Sequence, residues 1–124
     1  MASYDIGIIG GGPGGYVAAL RASQLGLRTA LFERDRVGGV CLNWGCIPSK
    51  ALLKNAEVVN LVREAEAWGI RAENVNFDLG AAVDRSRAVV EKIVTGVEGL
   101  LKDANVDVIK GSAALGGPKA ITAD

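Results

Sequence analysis

The chain has 124 residues, of which 49% are hydrophobic and 23% charged, and its 14 basic and 14 acidic residues cancel. This composition is typical of a globular domain with one modest core, and it excludes disordered, collagen-like and coiled-coil proteins. The balanced charge, with no long run of either sign, argues against a nucleic acid or a membrane surface as a partner.

Histidine is absent from the chain, and cysteine occurs only twice. The commonest general base and metal ligand is therefore missing. Two cysteines are too few for a secreted disulfide scaffold, and a close pair is more often catalytic or metal-binding. The uncharged stretch at residues 6–20 is interrupted by glycines, lacks a preceding positive charge and is too short to span a bilayer. We therefore expect a cytoplasmic protein.

The first 33 residues predict a β-α-β unit. A β-branched run at residues 5–9 indicates a buried strand, and residues 28–33 indicate a second one. Between them, residues 13–25 are rich in small side chains and predict a helix, which Gly26 is placed to end. A right-handed crossover between two parallel strands is expected.

Two long helices are predicted after this unit. The first covers residues 41–68, and Pro48 within it should kink or delay the helix. Asp78 is expected to cap the second, which carries apolar residues at helical spacing. The predicted buried stripe of this second helix consists of Leu79, Val83, Val90, Val94, Val97 and Leu101.

Two short strands are predicted near the C-terminus, at residues 106–110 and 120–122. The sequence Gly-Gly-Pro at residues 116–118 lies between them and predicts a turn. The C-terminal part of the chain is therefore expected to form a short β-meander.

A glycine-rich loop at residues 10–15 follows the first predicted strand and contains the pattern G-x-G-x-x-G. The pattern alone is weak, but its place between a strand and a helix is that of a dinucleotide-binding loop. Gly10 would permit the tight turn, Gly12 would let the backbone approach a pyrophosphate, and Gly15 would let helix and strand pack closely. The alternative is a strand-to-helix turn in which the glycines only permit close packing and no ligand binds.

An acidic residue, Glu33, ends the second predicted strand, where the fingerprint requires an acceptor for the adenosine ribose. Its carboxylate argues against a cofactor with a ribose 2′-phosphate, although Arg34 beside it weakens that argument. The fingerprint does not choose between NAD and FAD.

Cys41 and Cys46 lie five residues apart. A regular helix would separate them by about 7.5 Å of rise, so a disulfide needs a distorted turn, which Gly45 and Pro48 permit. Three interpretations remain open at this point. A redox-active pair is favoured by the dipole of a helix N-terminus and by Lys50. A zinc site is the second interpretation, and it is disfavoured because no imidazole is available. The third interpretation is a pair of inert, buried thiols.

The glycine loop, Glu33 and the string GGVCLNWGCIPSK at residues 38–50 together resemble the N-terminal segment of the pyridine nucleotide-disulfide oxidoreductases. Within that family the string is most similar to the branch that oxidises dihydrolipoyl groups. The branches that reduce mercuric ion or glutathione remain alternatives, as does a stand-alone nucleotide-binding or dithiol-carrying module.

The resemblance implies an α/β fold, in which a Rossmann-like βαβ unit with a parallel sheet is followed by two long helices and a short β-meander. Residues 1–124 would be the N-terminal part of an FAD/NAD(P)-binding domain, with the NAD and dimerisation domains absent. Such a piece alone would be inactive. The resemblance also implies FAD as cofactor, NAD as acceptor, lipoyl groups of 2-oxo acid dehydrogenase complexes as partners, and a homodimer for the complete enzyme.

The resemblance further implies roles for individual residues. Cys41 and Cys46 would form the redox-active disulfide, in which Cys41 exchanges thiols with the substrate and Cys46 faces the flavin. Lys50 would approach the flavin ring, and Val40 stands where threonine is common. The implied cofactor contacts are Gly10, Gly12, Pro13, Gly14, Gly15, Glu33, Arg34, Gly39, Val40, Cys41, Cys46, Lys50 and Ala113.

Overall fold

Three parallel strands form the main sheet of the computed structural model, which describes residues 2–124. They are β1 (Ile6–Ile9), β2 (Thr29–Glu33) and β3 (Asp107–Lys110), with β2 in the centre. The first four residues of β2 are buried, as expected for a central parallel strand that is covered on both faces. The predicted β-α-β unit is confirmed.

Four α-helices within residues 2–124 accompany the sheet: α1 (Pro13–Gln24), α2 (Gly39–Asn43), α3 (Cys46–Arg63) and α4 (Leu79–Asp103). A short 3-10 helix at Ala65–Trp68 follows α3. Pro13 is tolerated at the start of α1 because its missing N–H has no helical partner there. Gly26 adopts a positive φ of 82° just after α1, a conformation that glycine accepts without steric cost.

The helix predicted over residues 41–68 is in fact three pieces, and its main break lies at Trp44 and Gly45. The backbone of Gly45 leaves the helical region, with φ −121° and ψ −105°. Pro48 lies in the first turn of α3, where it removes no helical hydrogen bond. Pro48 therefore does not kink the helix, but the long helix does begin later than residue 41, with Pro48 in its first turn.

Helix α4 begins as predicted, since an oxygen of Asp78 accepts a hydrogen bond of 3.1 Å from the Ala81 N–H. The C-terminal part of the predicted stripe is buried: Val90, Val94, Val97 and Leu101. In the N-terminal part Leu79 is exposed, whereas Ala82 and Ser86 are buried. This end of α4 packs against α3, and small side chains permit the close approach of two helices.

The C-terminal strands differ from the predicted meander. β3 joins the parallel sheet, while β4 (Ala113–Gly117) and β5 (Ala120–Ala123) form a separate antiparallel hairpin. The prediction missed β4 because its sequence AALGG contains no β-branched residue. The turn lies at Pro118 and Lys119 rather than at residues 116–118.

The hydrophobic core lies between the sheet and helices α1, α2 and α4. Its buried residues are Ala19, Leu31, Val37, Leu42, Val90, Val94, Val97, Leu101 and Val106. Leu42 anchors α2 in this core, and its neighbour Cys41 packs at the margin. Within residues 2–124, no helix combines the length and the apolar character needed to cross a membrane.

Candidate functional site

The glycine loop connects β1 to α1 and is closed on its inner side. Gly10 has a positive φ of 97°, and its N–H donates to the Phe32 carbonyl at 2.8 Å. A Cβ at Gly15 would lie 1.7 Å from the Gly10 carbonyl oxygen, so only glycine fits there. A Cβ at Gly12 or Gly14 would have no atom within 4 Å. The outer surface of the loop is therefore open at the N-terminus of α1, where backbone N–H groups favour anions.

A second glycine pair docks the start of α2 on this loop. The Gly38 N–H donates to the Gly11 carbonyl at 2.8 Å. A Cβ at Gly39 would lie 2.9 Å from the Cα of Gly12, closer than side chains normally approach. Both Gly38 and Gly39 have positive φ, 99° and 56°, which glycine adopts readily. Backbone contact between two loops therefore brings the first cysteine turn next to the glycine loop.

The carboxylate of Glu33 is held by backbone N–H groups on both oxygens. Its Oε2 accepts from Gly11 at 2.7 Å, and its Oε1 accepts from Asp35 at 2.9 Å. Each carboxylate oxygen has a further lone pair. Glu33 is thus a fixed acceptor with capacity left for hydroxyl groups of a ligand.

A cavity of about 420 Å³ lies beside Glu33, at the carboxyl ends of the parallel strands. Open α/β sheets bind ligands at this edge. Among the residues that the sequence singles out, the cavity is lined by Gly10, Glu33, Arg34, Gly39, Val40 and Ala113. Trp44 also lines it, a role that no pattern in the sequence indicates.

A larger cleft of about 790 Å³ runs along β3 and the end of α4. Of the candidate residues it contains only Glu33, and its other walls include the charged side chains of Glu98, Lys102 and Lys110. The smaller cavity is the better candidate for a ligand, because it combines the glycine loop, the fixed carboxylate and the edge at which the strands end.

The break between α2 and α3 lies between Cys41 and Cys46, at the place where the sequence permits a distorted turn. Cys41 is half-buried within α2, and Cys46 is exposed at the start of α3; both are free thiols. The pKa of Cys41 is raised, chiefly by its side-chain hydrogen bond with Cys46 and secondly by desolvation. The positive charge of Lys50 acts in the opposite direction and is the smallest of the influences on this pKa.

Comparison with known proteins identifies the family. The family described as pyridine nucleotide-disulphide oxidoreductase matches residues 4–124. The chain belongs to this family. The predicted family is therefore confirmed.

Similar members of the family include three proteins named dihydrolipoyl dehydrogenase. They are those of Chlorobaculum tepidum, 52% identical over 94% of this chain, Rhizobium etli, 54% over 94%, and Mycobacterium tuberculosis, 56% over 90%. The chain spans about a quarter of the length of these relatives. The crystal structure of LpdA from Mycobacterium tuberculosis matches with a TM-score of 0.81 and 25% identity, covering 88% of this chain and 24% of that one. The predicted α/β fold class is confirmed.

The remaining candidate residues of this family member lie at the starts of two helices. Pro13 is exposed at the first position of α1, and Lys50 is exposed one turn after Cys46 on α3. Neither lines the cavity beside Glu33. Among residues 2–124, no three side chains of histidine, cysteine, aspartate or glutamate are grouped so as to hold a metal ion.

Proposed function

We propose that this chain is the FAD-binding, redox-disulfide segment of a dihydrolipoyl dehydrogenase, which oxidises dihydrolipoyl groups with NAD as the final acceptor. One observation carries the proposal. Two interacting thiols, Cys41 and Cys46, lie in a turn that is docked through backbone contacts on an open dinucleotide-type glycine loop. The chain is also about half identical to proteins of that name.

The proposed chemistry starts from a Cys41–Cys46 disulfide. A thiolate of the dihydrolipoyl group attacks the Cys41 sulfur, so a mixed disulfide forms and Cys46 leaves as a thiolate. The second lipoyl thiol then attacks the lipoyl sulfur of the mixed disulfide, which releases Cys41 and closes the lipoyl disulfide. Two electrons have passed from the lipoyl group to the protein dithiol. The exposed position of Cys46 agrees with its proposed role beside a flavin.

The residues present fit FAD. The open surface at Gly12 and Gly14 leaves room for a pyrophosphate on the N-terminus of α1, with Pro13 beside it. Glu33 is suited to accept hydrogen bonds from the adenosine ribose. The other residues proposed to surround the cofactor are Gly10, Gly15, Arg34, Gly39, Val40 and Ala113. When bound, the flavin supplies a two-electron carrier between the dithiol and a nicotinamide nucleotide, and the ammonium of Lys50 would stabilise negative charge near its ring.

The same proposal covers the domain organisation and the partners of the enzyme. Residues 1–124 would form the N-terminal part of an FAD/NAD(P)-binding domain, with the NAD-binding and dimerisation domains in other parts of the enzyme. This agrees with the quarter of the relatives' length that the chain spans. The partners would be the lipoyl groups of 2-oxo acid dehydrogenase complexes and a second copy of the enzyme. We further propose a cytoplasmic location, where close thiol pairs more often serve redox chemistry than structure.

Substitution of each cysteine tests the proposal. In the complete encoded protein, Cys41→Ser and Cys46→Ser should each abolish NAD reduction by dihydrolipoamide, because neither variant can form the disulfide. Both variants should keep the flavin, since neither sulfur holds the nucleotide portion in our assignment. The measurements are steady-state turnover and the flavin-to-protein ratio.

Wild-type turnover by Cys41→Ser would contradict the assignment. Faster turnover of the wild-type protein with mercuric ion or glutathione disulfide than with dihydrolipoamide would move the chain to another branch of the family. A colourless wild-type protein that does not bind added FAD would favour a dithiol-carrying module instead.

A further inference from the structure

The side chain of Asn43 joins the end of α2 to its beginning. Asn43 is the last residue of this helix and is half-buried. Its Nδ2 donates to the Val37 carbonyl at 3.1 Å and to the Gly39 carbonyl at 3.0 Å. A side-chain amide nitrogen carries two N–H groups, so both are used. The two carbonyls lie on either side of Gly38.

Helix α2 needs such support because it has only five residues. A single helical turn is unstable by itself, since several residues must be ordered for one or two hydrogen bonds. Its first turn also contains Gly38 and Gly39, which lose more conformational entropy on ordering than other residues. Val37 is buried, so its carbonyl would be costly to leave without a partner.

The two cysteines differ in how firmly their backbones are held. Cys46 begins an 18-residue helix, and the Ser49 hydroxyl supports that start by donating to the Gly45 carbonyl at 2.7 Å. Cys41 lies inside the short turn that Asn43 closes. The Asn43 contacts are therefore among those that hold Cys41 in place relative to Cys46, together with Leu42 in the core and the docking of Gly38 on the glycine loop.

We infer that Asn43 is a positioning residue for the dithiol: by bonding the carbonyls of Val37 and Gly39, it holds Cys41 within reach of Cys46 and favours the disulfide over two separate thiols. The inference rests on the proposed function, because it concerns the same redox pair. In the test reaction, glutathione disulfide oxidises the two protein thiols. The Cys41–Cys46 bond forms, the glutathione disulfide bond breaks, and two electrons and two protons pass to two glutathione thiols.

A graded series of substitutions varies the number of hydrogen bonds at position 43. Asn43→Ser keeps a hydroxyl that can reach the carbonyl four residues back, as Ser49 does. Asn43→Ala has no donor, and Asn43→Asp turns an acceptor toward both carbonyls. The equilibrium constant for disulfide formation should fall about tenfold in Asn43→Ala, which is about 30 mV for this two-electron couple. Asn43→Ser should lie between Asn43→Ala and wild type, and Asn43→Asp at or below Asn43→Ala.

The matched control is Asn60→Asp, the same chemical change at an exposed position of α3. Its equilibrium constant should stay within about twofold of wild type, since surface substitutions rarely change energies by more than a few tenths of a kcal/mol. The complete protein is equilibrated with reduced and oxidised glutathione, alkylated and digested with trypsin. One tryptic peptide, residues 37–50, contains both cysteines and ends at its only lysine, so its mass separates disulfide from alkylated thiols.

A second readout is the pH dependence of Cys41 alkylation. Because the interaction with Cys46 raises the pKa of Cys41, a loosened turn should lower that pKa, and alkylation should reach half its maximal rate at a lower pH. A change in overall stability alone would move neither this midpoint nor the redox equilibrium, provided that far-UV circular dichroism shows the variant to be folded. If Asn43→Ala and Asn43→Asp unfold, the inference is tested by the equilibrium constant for disulfide formation in the milder variant, Asn43→Ser.

The inference is supported if the equilibrium constant for disulfide formation falls from wild type to Asn43→Ser to Asn43→Ala while that of Asn60→Asp is unchanged. Equilibrium constants within about twofold of wild type for the folded variants would overturn it, while the proposed function would stand. A wild-type protein that forms no Cys41–Cys46 disulfide in any glutathione buffer would overturn both.

Discussion

Gly15 shows how the absence of one side chain fixes the shape of the glycine loop. A Cβ at this position would lie 1.7 Å from the Gly10 carbonyl oxygen and 2.9 Å from its carbon. Both are backbone atoms, so the clash cannot be relieved by a rotamer change. Gly15→Ala should therefore lower the free energy of unfolding by about 3 kcal/mol, the upper range for overpacking. Urea denaturation followed by circular dichroism measures this.

The neighbouring Gly14 provides the control. It lies in the same turn of α1, but a Cβ there would have no atom within 4 Å. Gly14→Ala should stabilise the protein by up to about 1 kcal/mol, because alanine is the better helix former. Equal effects of the two substitutions would show that the close approach at Gly15 does not limit stability.

Among single residues, the close packing at Gly15 and the position of Glu33 at the end of β2 could be predicted, because both follow from a strand-loop-helix pattern. The roles of Trp44 and Asn43 could not. Both roles depend on where α2 ends: Asn43 is its last residue and bonds the carbonyls of Val37 and Gly39, and Trp44 follows directly and lines the cavity. The raised pKa of Cys41 has the same origin, since it depends on the contact with Cys46.

Among the secondary-structure elements, helix α4 shows which features depend on the local sequence and which depend on tertiary contacts. Its start at Asp78 was predictable, because the cap uses a hydrogen bond to a residue three positions away. Its buried face was predictable only in the C-terminal half, where large side chains meet the sheet. Near α3 the buried residues are Ala82 and Ser86, and their burial depends on how closely two helices pack.

Two adjacent leucines of α4 test the burial of this face. Leu101 is fully buried and Leu100 is 57% exposed. Leu101→Ala should lower the free energy of unfolding by about 2–5 kcal/mol, since it removes transfer energy and leaves a cavity. Leu100→Ala should change it by less than about 1 kcal/mol.

Both changes in unfolding free energy can be calculated from the denaturant midpoints, provided that the dependence of the free energy on denaturant concentration is the same in all variants. Because the two residues share one helix and one side-chain type, helix propensity cancels from the comparison. A cost at Leu100 equal to that at Leu101 would mean that the outer face of α4 is also covered in solution.

At the scale of the whole molecule, the candidate site joins distant parts of the chain. The cavity beside Glu33 is lined by Gly10 near one end of the sequence and by Ala113 near the other. The parallel sheet brings them together, because β1, β2 and β3 end at the same edge. The cavity therefore exists only when β1, β2 and β3 are assembled side by side in the folded domain.

Filling the cavity tests this arrangement. Ala113→Trp should reduce the affinity for FAD about tenfold or more, because an indole would occupy part of a cavity of about 420 Å³. Leu115→Trp, on the same strand but at an 80% exposed position, should leave the affinity unchanged. Flavin fluorescence during titration of the apoprotein measures both. Unchanged FAD affinity in Ala113→Trp would place the adenosine portion outside this cavity.

Sequence patterns were enough to predict the β-α-β unit, the glycine loop, the helix caps and a closely spaced thiol pair. The loop, the caps and the thiol spacing depend on residues near one another along the chain, and the pairing of β1 with β2 follows from the short crossover that joins parallel strands. Packing in three dimensions sets where the helix breaks between Cys41 and Cys46, that β3 pairs with β2, and which side chains line the cavity. Those outcomes depend on contacts between segments far apart in sequence, whose energies are set by packing in three dimensions.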